Sequence, residues 1–262
     1  MSNMRIALGV EYNGAPYCGW QSQTEGCGVQ DFVELAIAKI AEHKIRIHAA
    51  GRTDTGVHAM CQVVHFDTET ARPDSAWLRG VNAFLPATIR VQWAKLVDDD
   101  FHARFSAQQR SYQYLLVNQP TAPAILADKA GWYHLPLNIK VMQAAIAYLL
   151  GEHDFSAFRA SECQASSPIR TLNVASIQAH GSFIIFNFSA NAFLQHQVRN
   201  MVGALIYVGN GKYPPEFIKS LLENKDRALS PPTFRPNGLY LTGVAYDEKF
   251  SLPNTQSTLT LI

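Results

Sequence analysis

Short segments of two-residue alternation dominate the chain, and their order admits few folds. Residues 5–12, 45–49, 61–67, 89–97 and 110–117 alternate as strands. Residues 169–179 and 182–189 alternate on either side of His180-Gly181, the pattern of a hairpin around a glycine turn. Helical spacing is confined to a few stretches. Val29, Phe32, Val33, Ala36, Ile37 and Ile40 share one stripe of a helix over residues 29–43. Pro73 and Asp74 suit the start of a weak helix over 76–84. Ile139, Met142, Ile146 and Leu149 share a face of another, closed by Gly151. Residues 191–203 open a further helix, residues 214–222 form one more, and residues 238–246 make a last strand. The order strand–helix–strands is followed by a Pro-broken linker near 118–138 and then by helix–hairpin–helix–strand. An α+β fold of two layers with mainly antiparallel sheets satisfies it. We expect one α+β domain over residues 1–125, a second over 126–250, and a loosely ordered tail over 251–262.

Composition narrows the function classes. Of 262 residues, 47% are hydrophobic and only 16% charged, which is a globular chain with enough length for one large or two modest cores. No apolar run approaches the ~20 residues that span a bilayer. The N-terminus runs straight into a strand without a leader pattern, so no membrane association and a cytoplasmic location are expected. Cys18, Cys27, Cys61 and Cys163 show no Cys-x-x-Cys spacing and read as reduced thiols, mostly packing residues. The nine histidines form no metal-ligand spacing, and P-loop and dinucleotide fingerprints are missing, so neither metal nor cofactor is expected. The net charge of +1 does not by itself announce a nucleic-acid partner. Thirteen of the 22 cations are Arg, the residue suited to bidentate phosphate contacts and base stacking.

The stretch Gly51-Arg52-Thr53-Asp54-Thr55-Gly56-Val57-His58-Ala59 carries the most chemistry. It lies between two strands, where catalytic residues are commonly presented. Asp54 is the only carboxylate between Glu42 and Asp67. Arg52, two residues earlier, leaves an extended backbone on the same face. A nearby cation keeps a carboxylate ionised when water is excluded, as a nucleophile or base needs. The plainer reading is a turn, with Asp accepting a backbone hydrogen bond.

This loop resembles the signature loop of the TruA family of tRNA pseudouridine synthases. Other segments resemble the same family: Tyr12-Asn13-Gly14 with Gly19-Trp20-Gln21, Phe101-His102-Ala103-Arg104-Phe105-Ser106, and Arg110-Ser111-Tyr112-Gln113-Tyr114. So do Asp154-Phe155 with Phe158, Val198-Arg199-Asn200, and Gly238-Leu239-Tyr240-Leu241. The resemblance runs from about Arg5 to Tyr246. Small departures are Cys27-Gly28 before Val29-Gln30, and Thr55 where Ala is frequent.

The resemblance implies two RNA-recognition-like (ferredoxin-like) sandwich domains with their sheets joined across a central catalytic cleft. It implies isomerisation of uridine to pseudouridine at positions 38, 39 and 40 in the anticodon stem-loop of tRNA, by a homodimer. Asp54 falls on the catalytic aspartate, and Arg199 on the arginine that pairs with it. Tyr112 falls on the active-site tyrosine that stacks on the target base. Arg52 is assigned to contact or replace the flipped nucleotide. Breaking a glycosidic bond builds positive charge on the sugar, which a close carboxylate stabilises or traps. Whether Asp54 attacks carbon or acts as a base stays open, as does a proton-removing role for Tyr112, since a free phenol has a pKa of about 10.

Two rival readings come from other classes. Asp54-Thr55-Gly56 is the triplet of aspartic proteases, which need two such aspartates sharing a proton; the chain has one copy, with Arg52 beside it. A non-catalytic RNA-binding module would use Tyr112 and Tyr114 as a stacking platform and Asp54 as a turn residue. Strand tyrosines are also ordinary packing residues.

Overall fold

The computed structural model describes residues 3–253 and 255–259. Along the chain run β1 (Met4–Tyr12), α1 (Val29–Ala41), β2 (His48–Ala49), β3 (His58–Thr68), α2 (Val81–Phe84), β4 (Ile89–Val97), β5 (Gln109–Asn118) and β6 (Gly131–Tyr133). There follow α3 (Ile139–Ile146), β7 (Gly151–Asp154), β8 (Ile169–His180), β9 (Phe183–Ala190), α4 (Gln197–Gly209), α5 (Phe217–Asn224) and β10 (Leu239–Ala245). The fold is α+β with mostly antiparallel strand pairing. The chain divides into two compact units, one of residues 1–109 with 240–262, the other of residues 110–239. This grouping departs from the expected division at 125 and 250. Residues 110–125 begin with strand β5, which belongs to the second unit, and Tyr240 returns the chain to the first unit.

In the first unit β1 lies between β3 and β4, antiparallel to both. The far edge of β3 takes β10 in parallel at His58 and Ala59, and β2 antiparallel at Val64 and His65. Both faces of β3 are covered, so its residues are buried almost throughout. Helix α1 buries Val29, Val33, Ala36 and Ile37, as the stripe requires. It ends two residues sooner than expected because Glu42 adopts φ 62° and its N–H caps Ala38 O. The weak helix over 76–84 begins with a π-helical turn (Ala76–Gly80) that places Trp77, fully buried, edge-on to Phe66 at 5.3 Å. The tail is better ordered than expected in part: Gln256 bridges Gly243, and Val244 N–H donates to Thr255 O at 3.1 Å. Asn254 and residues 260–262 of the expected tail lie outside the described residues.

Three imidazoles, those of His48, His65 and His102, pack against one another beside Phe101. The His65 Nδ1 accepts the Ala103 N–H at 3.1 Å, and His102 Nδ1 accepts the N–H groups of Arg104 and Phe105. The histidine of the Phe-His-Ala-Arg-Phe-Ser segment therefore builds a turn. Burial holds His65 neutral, with its pKa pushed down to about 3, and the neighbouring His102, Arg5 and His48 charges push the same way.

In the second unit β9 lies between β5 and β8, antiparallel to both, and β7 pairs with β8. The expected hairpin is present, with Gly181 at φ 60° in its turn. The linker expected over 118–138 carries a strand: β6 pairs in parallel with the end of β5. Helix α4 starts only at Gln197, because residues 191–196 are irregular and His196, at φ 63°, turns the chain into the helix. It is apolar on nearly every side and is buried accordingly.

The cysteine expectation needs correcting. Cys18 and Cys27 form a disulfide, with Cα atoms 5.4 Å apart. The segment between them folds back on itself, and Cys18 N–H donates to Cys27 O at 3.0 Å. Spacing alone concealed the pair, because its members lie nine positions apart in sequence. Cys61 and Cys163 are buried free thiols, as expected of packing residues, and burial pushes Cys61 up to about 11.

Denatured without reductant, the chain should show two reactive thiols per molecule in a thiol titration; four would contradict the Cys18–Cys27 pairing. His65 is neutral in the fold but protonates when unfolded, so the unfolded state gains a proton as pH falls below about 6.5. Stability should therefore drop between about pH 6.5 and pH 3. In urea melts His65→Gln should lose less stability than the wild type across that window, and an equal loss would remove His65 from the account.

Candidate active site

Main-chain contacts hold the Asp54 loop, with the buried Thr53 hydroxyl beside them. Ala50 N–H donates to Val63 O at 2.8 Å, and Gln62 Nε2 donates to Gly51 O at 2.7 Å, which ties the loop's entry to β3. Thr53 is buried: its carbonyl accepts the Trp20 N–H at 3.0 Å and its hydroxyl meets the Tyr12 hydroxyl at 2.8 Å. Val57 N–H then closes a turn on Asp54 O at 3.1 Å, with Gly56 at φ 79°. The turn reading of Asp-Thr-Gly is thus correct for the backbone, and it leaves the carboxylate's chemistry undecided. Asp54 is half-buried and Arg52 exposed.

The other half of the clamp is the 13–20 loop. At Gly14 a Cβ would stand 1.9 Å from Val57 O, so only glycine fits there. The Gly14 N–H donates to His58 Nδ1 at 3.0 Å, and the His58 ring stacks on Tyr240 at 4.6 Å. Gly19, at φ 88°, lies with its Cβ position 2.9 Å from Thr53 O. Trp20 is buried beside Tyr12, with ring centroids 5.6 Å apart. Gly19 O and Trp20 O accept the N–H groups of Val29 and Gln30, so the first turn of α1 anchors the same loop. The Cys18–Cys27 disulfide closes that connection on its outer side.

Tyr112 and Arg199 belong to the second unit. Tyr112 lies on β5 opposite Phe188, 9% exposed, and meets the ring of Phe193 edge-on at 5.1 Å. Phe193 sits in the segment that leads into α4, and Arg199 is in the first turn of that helix. The second unit therefore brings Tyr112 close to the chain that precedes Arg199. Arg199 Nε donates to Phe234 O at 2.9 Å, and the Phe234 N–H returns to Arg199 O at 3.3 Å. Tyr114 has a different role from Tyr112. It is fully buried, its hydroxyl donates to Arg235 O at 2.8 Å, and its ring meets Phe234 edge-on. Among the described residues no group of three or more His, Cys, Asp or Glu is arranged to hold a metal ion, and no helix is long and apolar enough to cross a membrane.

The family described as tRNA pseudouridine synthase matches residues 9–106 and 145–247. That covers most of both units, including Asp54 and Arg199. The chain belongs to the TruA family of tRNA pseudouridine synthases. It is 64% identical over 256 residues to the tRNA pseudouridine synthase A of Methylobacillus flagellatus, covering 98% of each chain. To the same-named protein of Nitrosomonas eutropha it is 55% identical over 250 residues, 95% of this chain and 90% of that one. To that of Burkholderia thailandensis it is 53% identical over 253 residues, 97% and 94% of the two chains. Membership removes the protease reading.

Sequence reasoning missed the residues that support this TruA-family loop. Thr53 and His58 lie inside the quoted stretch, but their buried hydrogen bonds come from residues about 40 positions earlier. Asn200 was quoted only as part of Val198-Arg199-Asn200, and Arg227 was not singled out. Gly14→Ala is the direct test of the clamp. Its methyl group meets main chain that cannot step aside, so a loss of about 1–3 kcal/mol is expected in urea unfolding, together with reduced turnover on tRNA. A variant as stable and active as wild type would show that the two loops do not depend on their close approach.

Proposed function

We propose that the chain converts uridine to pseudouridine at positions 38, 39 and 40 of the tRNA anticodon stem-loop, with Asp54 as the catalytic residue. Family membership gives the reaction class; the positions and roles are our reading. Each unit is, in this reading, a variant of the RNA-recognition-like α/β sandwich, and the enzyme works as a cytoplasmic homodimer.

The reaction breaks the N1–C1′ bond and forms a C5–C1′ bond. The C5 proton leaves and N1 gains a proton, so no electrons change hands. The base must be swung out of the stem to turn, which costs a few kcal/mol of unstacking. Positive charge develops at C1′ as the first bond breaks, and a carboxylate held close to it lowers that barrier. The observation that carries the assignment to Asp54 is the clamp. A loop backbone fixed on both sides presents Asp54 from one place before substrate arrives, so less of its positioning has to be supplied at the moment of reaction.

Arg199 is assigned as the cation that opposes Asp54's charge, and its Nε contact with Phe234 O fixes the plane of its guanidinium. Tyr112 is assigned to stack on the target base. Arg52, exposed on the same loop as Asp54, is assigned to the flipped nucleotide or its phosphate. The competing RNA-binding module needs two presented rings, and the full burial of Tyr114 weighs against it.

The test is incubation with tRNA transcripts that lack modification, followed by mapping of pseudouridine. Wild type should place it at 38, 39 and 40 where uridine occurs. Asp54→Ala should lose turnover by orders of magnitude while keeping its affinity for tRNA. Arg199→Ala should lower turnover more than affinity. Affinity should fall steeply with salt as phosphate contacts release counterions. Product at other positions would refute the site assignment, and an active Asp54→Ala enzyme would refute the catalytic one.

A further inference from the structure

Arg227 lies in a short turn after α5, between the Val198-Arg199-Asn200 and Gly238-Leu239-Tyr240-Leu241 segments. It is a half-buried cation, and burial pushes its pKa down from the usual guanidinium value. Its hydrogen bonds go to neutral groups. Nη1 donates to Ser230 O at 3.0 Å and Pro231 O at 3.1 Å. Nη2 donates to Asn200 Oδ1 and Thr233 Oγ1, each at 3.2 Å. Placing a guanidinium among carbonyls has a desolvation cost that a neutral side chain would avoid. What a guanidinium offers in return is a rigid planar fork able to hold four acceptors at once.

Those acceptors belong to two pieces of chain that meet at Arg199. Asn200, fully buried, is its sequence neighbour on α4. Its Oδ1 also accepts from Thr233 Oγ1 at 2.7 Å, and its Nδ2 donates to Phe158 O at 2.7 Å. Ser230, Pro231 and Thr233 belong to the loop that ends in Phe234, whose carbonyl receives Arg199 Nε. That loop lies hard against α4: a Cβ at Gly203 would stand 2.7 Å from Pro232 O. Beyond Phe234 the chain is pinned again by the Tyr114 hydroxyl on Arg235 O.

We propose that Arg227 is a positioning residue for Arg199: by binding Asn200 and the 230–233 loop together, it sets where the Phe234 carbonyl stands and so how the Arg199 guanidinium is aimed. The inference rests on the reading of Arg199 as the partner of Asp54's charge. Without Arg227, Asn200 Oδ1 keeps Thr233, but the Ser230 and Pro231 carbonyls lose a shared donor. The loop then drifts on α4 and carries the Phe234 carbonyl with it. Misplacement of a catalytic group by about 1 Å costs on the order of 100-fold in rate.

Kinetics on unmodified tRNA transcripts decide this, using Arg227→Met, Arg199→Met and the double variant, with thermal melts as a check on folding. Arg227→Met should lower kcat about 10- to 100-fold and leave KM within about twofold. In the Arg199→Met background the same change should cost nothing further, because the group it aims is already gone. A purely structural role would lower kcat equally in both backgrounds, and that result would overturn the inference. So would an unchanged kcat in Arg227→Met when Arg199→Met is impaired. Full activity of Arg199→Met would overturn the reading of Arg199 itself and this inference with it. Should Arg227→Met fail to fold, Thr233→Val cuts one link of the same network. It should show a smaller fall in kcat with the same dependence on Arg199, and an effect independent of Arg199 would again overturn the proposal.

Discussion

The Thr53 carbonyl, accepting the Trp20 N–H, is the contact on which the first unit's chemistry depends. It joins two loops that leave the same end of the β1–β3 pair, and each loop alone would be a Gly-broken connection of no fixed shape. Once they are joined, Gly14 and Gly19 let main chain lie on main chain, and the Tyr12 and Thr53 hydroxyls fill the remaining polar valence between them. The first turn of α1 and the Cys18–Cys27 disulfide extend the brace on the far side. Asp54 thus stands on a scaffold of carbonyls and amides. Such groups cannot swing away as side chains do, and fixed groups are what preorganised electrostatics requires.

The second unit solves a similar problem differently. Arg199 sits in the first turn of a helix that is apolar over most of its length beyond Asn200, and polar groups of the same unit gather around that first turn. Asn200, Thr233, Arg227 and the 230–234 carbonyls do this as one network. Buried polar networks of this kind specify one geometry because any other leaves a member unpaired. In both units, then, a candidate catalytic residue stands on backbone held by partners in its sequence neighbourhood and by one loop from far along the chain.

Elements governed by local pattern were legible in the sequence. Residues 89–97 alternate and form β4; the hairpin of β8 and β9 turns at Gly181; the α1 stripe faces the core. What failed was set by distant partners. Strand β6 has only three residues, too few for a pattern, and exists because the end of β5 accepts it as a partner. β10 reads as a strand, but nothing in its sequence says that it pairs with β3, so the division of the chain into units was misplaced. The irregular approach to α4 depends on the left-handed His196, a conformation sequence seldom declares in a non-glycine residue. The candidate residues Arg52, Asp54, Tyr112 and Arg199 were found by resemblance. The groups that hold them were invisible because Thr53, Asn200 and Arg227 are ordinary polar residues until their partners are known.

Amide hydrogen exchange on the protein without RNA measures the clamp most directly. A preformed loop requires that the amides of Trp20 and Val57 exchange slowly, on the scale of ladder amides in β1 such as Leu8. Exchange of Trp20 and Val57 at the rate of a free loop, while Leu8 stays protected, would mean that Asp54 is not held in place before substrate binds.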